Sequence, residues 1–143
     1  WDHTARRTAE MAGFEWGGGL IINMDSISGM RAHPLGGVAY CASKFAVVGF
    51  TQSLALEMGP HNVRANAICP GFLGTSMWMN DILGHRLGEG ADRDAAFERI
   101  TASRVPLGRG QTPADIGEAA VFLARADNIT GVALNVAGGL EVH

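Results

Sequence analysis

The stretch from Ala39 to Met58, stopped by Gly59-Pro60, carries the strongest helix signal in the chain and limits the possible folds more than any other segment. Its small or apolar residues, Ala42, Ala46, Val47, Val48, Phe50, Leu54, Ala55 and Leu56, cover more of the circumference than one core-facing stripe would. Such a helix needs partners on two sides. Leu20 to Met24, upstream of it, reads as a short buried strand, apolar on both faces apart from Asn23, as parallel strands covered by helices are. Val63 to Cys69, downstream, reads as the next strand, broken by Pro70-Gly71. One face of the helix is then expected to pack on the sheet and the other on a neighbouring subunit.

Tyr40 and Lys44 stand four residues apart near the start of this helix, hence on one face and within side-chain reach. A phenol, with a reference pKa of about 10, is a poor proton acceptor at neutral pH unless a nearby positive charge stabilises its phenolate. Lys44 can supply that charge. Ser26, at the end of the first apolar run, is placed to donate a hydrogen bond to the same substrate oxygen. The spacing alone is unspecific, since tyrosine and lysine meet at four residues by chance in many helices.

The surrounding text raises the specificity. Gly18-Gly19-Leu20-Ile21-Ile22-Asn23-Met24-Asp25-Ser26 precedes the pair and Asn66-Ala67-Ile68-Cys69-Pro70-Gly71 follows it. Gly71-Phe72-Leu73-Gly74-Thr75-Ser76-Met77, Val105-Pro106-Leu107-Gly108-Arg109, Ile129-Thr130-Gly131 and Gly138-Gly139 come after in order. From about Gly17 onward this text resembles the short-chain dehydrogenase/reductase family. The resemblance implies an α/β fold with a Rossmann-like, doubly wound parallel sheet. It also implies an oxidoreductase that passes a hydride between NAD or NADP and a ketone or secondary alcohol. Tyr40 is then the general acid/base, Lys44 lowers its pKa and holds the nicotinamide ribose, and Ser26 polarises the carbonyl.

Ser28 competes with Ser26 for the last role, but it is followed by Gly29 and reads more simply as a turn residue. Ser26 is preferred because it ends a strand, where the carboxyl edge of a sheet opens onto a cofactor cleft. The resemblance also places Pro70, Gly71, Leu73 and Thr75 against the cofactor, although Thr75 by itself reads as the cap of a short helix starting at Ser76-Met77-Trp78. Family members commonly carry serine where this chain has Asp25 and an acidic residue where it has Ala137. Asp25 therefore brings an extra carboxylate beside the site, where a like charge would oppose ionisation of Tyr40.

The rest of the chain is read as scaffold and lid. Thr4 to Met11 ends a helix, and the glycine- and proline-containing run Ser28 to Gly37 is a loop near the substrate. Met77 to Gly90 mixes large apolar residues with glycines and charges, which suits a mobile lid, with Trp78 as a substrate contact. Thr112-Pro113-Ala114-Asp115 is a helix start and Gly131 to Val136 a final strand.

At 143 residues and 47% hydrophobic content the chain fits one domain, spanning 1–143 as a single partial Rossmann-like unit. The net charge of -3 and the lack of a basic run argue against nucleic acid or an anionic membrane as partner. No stretch approaches the length of a bilayer span. Cys41 and Cys69 read as reduced thiols of a cytoplasmic protein, and the scattered histidines suggest no metal.

Gly17-Gly18-Gly19 leads into a strand rather than out of one, so it reads as a loop and not as a phosphate cradle. The chain is thus expected to be the carboxy-terminal portion of a family member, without the amino-terminal dinucleotide-binding strands. A small-molecule substrate is expected, either a small polyol, sugar or acyloin or a 3-oxoacyl thioester. A homo-oligomer, dimer or tetramer, is expected through the 39–58 helix. The alternative is a non-catalytic fragment or structural subunit, whose open sheet edge would favour aggregation unless a partner covers it.

Overall fold

The structure is a computed structural model that describes residues 18–33, 36–88 and 90–142. The helix end expected over Thr4 to Met11 lies outside the described residues. Three parallel strands, β1 (Gly19–Met24), β2 (Val63–Pro70) and β3 (Ala133–Val136), form a sheet in that order. The register pairs Gly19 with Val63 through Met24 with Ile68, and Ala67 with Ala133 through Pro70 with Val136. The long helix α1 (Gly37–Met58) crosses over from β1 to β2, as parallel pairing requires.

Alternation along β2 decides which helix covers which face. Ala65, Ala67 and Cys69, all fully buried, form the side toward α1, where Asn23 of the neighbouring strand donates to Thr51 Oγ1 at 2.9 Å. These small residues let the helix axis come close to the sheet. Ile68, one register step over, joins Ile116 and Leu123 of the helix Pro113–Arg125 in a core completed by Ile22, Leu134 and Val136. Arg64 and Asn66 lie on this second side and tie the sheet to what covers it. Arg64 donates to the carbonyls of Leu123 and Ala124 at 2.6 and 3.1 Å, satisfying the end of the helix. The fully buried Asn66 amide donates to Ile129 O and its oxygen accepts from Val132 N. Helices therefore cover both faces, as the doubly wound reading implies.

The expected stop of the long helix is built in two steps. A 3₁₀ turn over Gly59–His61 follows Met58, and Asn62 then adopts the left-handed conformation at φ 57°. Gly18, at φ +115°, lies against it: a Cβ there would sit 2.7 Å from Asn62 O. A glycine is needed at this position for close packing on the turn. Helix Pro113–Arg125 begins as expected, with a full capping box between Thr112 and Asp115. The bidentate Arg109 guanidinium and the Thr112 donors hold the Asp115 carboxyl well below the usual carboxylate range.

Two segments differ from expectation. The run Met77–Ile82 is π-helical and continues as α-helix over Leu83–Leu87, where a loose lid is expected. Its physical anchor is aromatic: Trp78 packs edge-on against Phe72 at 4.6 Å and Phe97 at 5.8 Å, and Leu83 is buried beside them. The helix Arg93–Arg104 has no counterpart in the sequence reading; it is capped by Asp92, whose side chain accepts from Ala95 N, and supplies Ala96, Phe97 and Ile100 to the same cluster.

Candidate active site

The carboxyl ends of β1 and β2 open side by side, and the residues after them form one wall of a cleft of about 330 Å³. This is where ligands enter parallel α/β sheets. The wall contains Ser26, Ser28, Tyr40, Pro70, Gly71, Leu73, Thr75 and Trp78, so nearly all the residues singled out from the sequence converge on one space.

Ser26 leaves β1 in extended conformation and caps the 3₁₀ turn Ile27–Gly29, its Oγ accepting from Ser28 N at 3.2 Å. That bond uses a lone pair and leaves the hydroxyl proton for another acceptor. Ser28 is the turn residue expected, and it too borders the cleft. Tyr40 lies in the first turn of α1 with its ring against Gly36, where a Cβ would sit 2.8 Å from Tyr40 Cδ1. Glycine at 36 thus makes the space the ring occupies.

Lys44 stands behind the ring rather than in the cleft wall. Its Nζ is 5.7 Å from the Tyr40 ring centroid, donates to Met24 O at 3.4 Å and lies 4.0 Å from Asp25 Oδ1. The Asp25 side chain is wholly enclosed, and its other oxygen accepts from Cys69 Sγ at 3.7 Å. Burial raises the Asp25 carboxyl above its ordinary value, with Lys44 the main opposing influence. Burial, and after it the charge of Asp25, pushes the Cys69 thiol up to about 12, so the thiol remains the donor in that contact.

The segment after β2 is fixed by backbone bonds. Leu73 bridges Gln111, whose N donates to Phe72 O at 2.8 Å, and Thr75 N donates to Leu73 O at 2.7 Å. Gly71 is needed because a Cβ would sit 2.9 Å from both Ala137 Cβ and Gln111 Oε1. The N-cap position of the following helix falls on Ser76 without a side-chain bond, so Thr75 does not cap it and instead borders the cleft. Trp78 belongs to the cleft wall and the aromatic cluster at once, with 6% of its surface exposed.

His33, Met24, Ile27, Phe72, Met77 and Ile82 also line the cleft and were not singled out from the sequence. The His33 ring meets Phe72 edge-on at 6.4 Å. Its position in the run between Ser28 and Gly37, expected near the substrate, was the available signal. Among the described residues no group of three His, Cys, Asp or Glu side chains is arranged to hold a metal. No described helix is long and apolar enough to cross a membrane.

The family profile described as enoyl-(acyl carrier protein) reductase matches residues 3–141. The chain is 40% identical over 126 residues to the 3-oxoacyl-[acyl-carrier-protein] reductase FabG of Chlamydia trachomatis, a match covering 85% of this chain and 45% of that protein. Among solved structures, the ligand-free aldohexose dehydrogenase of Thermoplasma acidophilum superposes with a TM-score of 0.76 at 31% identity, over 85% of this chain and 47% of that one. A variant of actinorhodin polyketide ketoreductase with NADPH gives a TM-score of 0.75 at 36% identity, over 89% of this chain and 49% of that one. The chain spans about half the length of the curated relatives it matches. With the profile matched across nearly all of the sequence, the chain belongs to the short-chain dehydrogenase/reductase family.

Proposed function

We propose that this chain carries the catalytic centre of an NAD(P)-dependent oxidoreductase that interconverts a ketone and a secondary alcohol. The observation that carries the reading is the convergence of Ser26 and Tyr40 on one cleft with the Lys44 ammonium behind the ring. Pro70, Gly71, Leu73 and Thr75, with Tyr40 and Lys44, would hold the nicotinamide end of NAD or NADP; the glycine at 71 and the carboxyl strand ends suit that placement. When bound, the nicotinamide supplies or accepts the hydride. Tyr40 delivers a proton to the developing alkoxide or removes it in the reverse direction. Ser26 hydrogen-bonds the same oxygen. Lys44 supplies the positive charge against which the phenolate forms.

Ile27, Phe72, Met77, Trp78 and Ile82 make the cleft largely apolar, and among the described residues no arginine or lysine borders it. Such a wall favours a ketone carried on an apolar chain, the 3-oxoacyl thioester class, over a small polyol, sugar or acyloin. The relatives named as ketoacyl reductases support the same choice. Trp78 and Ser28 are the proposed substrate contacts. The two cysteines are free, which goes with a cytoplasmic protein.

Tyr40→Phe is expected to lower turnover roughly 100- to 10,000-fold, the usual contribution of a positioned proton donor. Lys44→Met is expected to lose activity as well. Steady-state assays with NADH and NADPH check both, and full turnover in Tyr40→Phe would sink the proposal. The alternative expected from the sequence is a non-catalytic chain, a fragment or a structural subunit. A cofactor-fluorescence titration separates the two, since the inert reading expects no NADH or NADPH binding.

A further inference from the structure

Asp25 is an acidic member of the cleft wall whose two oxygens are both committed inward. Oδ2 accepts from the Cys69 thiol at 3.7 Å, and Oδ1 is buried without a hydrogen-bond partner, 4.0 Å from Lys44 Nζ. A carboxylate with no exposed side-chain surface needs compensation, and the nearest cation is Lys44. The converse holds for the ammonium. Its stem is flexible and a lysine head ordinarily moves toward water, yet here it is held by one long bond to Met24 O and by the Asp25 charge.

Asp25 itself has little freedom. Its N donates to Ile68 O at 2.8 Å, which fixes the residue to the end of β2. Gly29 leaves room for the contact between the turn and α1, since a Cβ there would sit 2.7 Å from Lys44 O. A rigid carboxylate facing a flexible ammonium is the arrangement of an anchor.

We propose that Asp25 is a positioning residue, whose enclosed carboxylate is the counter-charge that holds the Lys44 ammonium behind the Tyr40 ring. The inference rests on the reading of Tyr40 and Lys44 as the proton-transfer pair, but its test does not need turnover. Lys44 is the sole lysine of the chain and Tyr40 its sole tyrosine, so both report site-specifically. Asp25→Asn fills the same volume without the charge. Amine acylation of Lys44 at pH 8, followed by peptide mass spectrometry, is expected to accelerate several-fold, because a lysine head freed from its enclosed counter-charge moves out toward solvent and the reagent.

A second variant, Asp25→Ser, is expected to accelerate it similarly. In magnetic-resonance spectra of the parent chain, cross-relaxation between the Lys44 ε-methylene and the Tyr40 ring protons is expected, weakening several-fold in either variant. An unchanged acylation rate in folded variants, or no Lys44–Tyr40 cross-relaxation in the parent, would overturn the proposal. A purely structural Asp25 would change the melting temperature and leave both readouts alone. Full turnover in Tyr40→Phe, by contrast, would remove the catalytic reading and leave the anchoring result standing.

Discussion

Asp25 also gives the molecule an acid-range signature of its own. Because burial raises its carboxyl above the ordinary 3.8, the folded chain binds more protons than the unfolded one in the window just above that value. The stability Asp25 contributes is fully present below 3.8 and is lost as pH rises through the folded value. Asp25→Asn is therefore expected to flatten that part of the stability curve, so that its stability relative to the parent improves from about pH 3 toward neutrality. Urea unfolding at a series of pH values checks the slope. At this scale the sequence was most legible: the spacing of Tyr40 and Lys44 places both on one helix turn whatever the rest of the chain does. Ser26 was legible from the end of an apolar run. Asp25 was visible as an extra carboxylate, but its pairing with Lys44 and Cys69 depends on how three elements pack, which no local pattern encodes.

Elements were legible where their own residues fixed them and obscure where a partner did. The capping box at Thr112 and Asp115 and the apolar periodicity after it define the helix Pro113–Arg125 locally, and Thr112→Ala is expected to cost about 1 kcal/mol in thermal or urea unfolding. The sequence reading of Ala39 to Met58 falls two residues short of the observed start at Gly37, since the left-handed glycine there at φ +68° has no side-chain signal. The opposite case is Met77–Leu87. Its glycines and charges suit a mobile lid, with only a short helix start at Ser76-Met77-Trp78, and the helical structure through Leu87 is set by Trp78 lodging between Phe72 and Phe97. Trp78→Ala is expected to destabilise the fold by about 3–5 kcal/mol, read from urea unfolding, because the cluster cannot close over the lost ring. Helix Arg93–Arg104 was missed for the same reason: its apolar residues are few, and their partners lie on other elements.

At the level of the whole molecule, α1 presents an uncovered apolar stripe. Val38, Phe45 and Leu56 are 90%, 47% and 81% exposed, and their separations bring them to one side of the helix. The stripe suits the homo-oligomer that the sequence leads one to expect through this helix. Leu56→Glu is expected to shift the assembly toward monomer in analytical ultracentrifugation, with the fold intact, since the residue touches little within its own chain. The sheet explains why the architecture was readable as a class: β2 faces α1 with small residues and the other layer with Ile68, a pattern already present in its sequence.

The last described residues return to the cleft side of the molecule. Asn135 donates to the carbonyl of Glu141, and the Glu141 carboxylate meets Arg31 at 3.2 Å, on the loop that carries His33 into the wall. Cloning strategy is affected by this detail. A purification tag fused directly after His143 would begin three positions beyond Glu141, close enough to disturb that ion pair in any preparation meant to report binding.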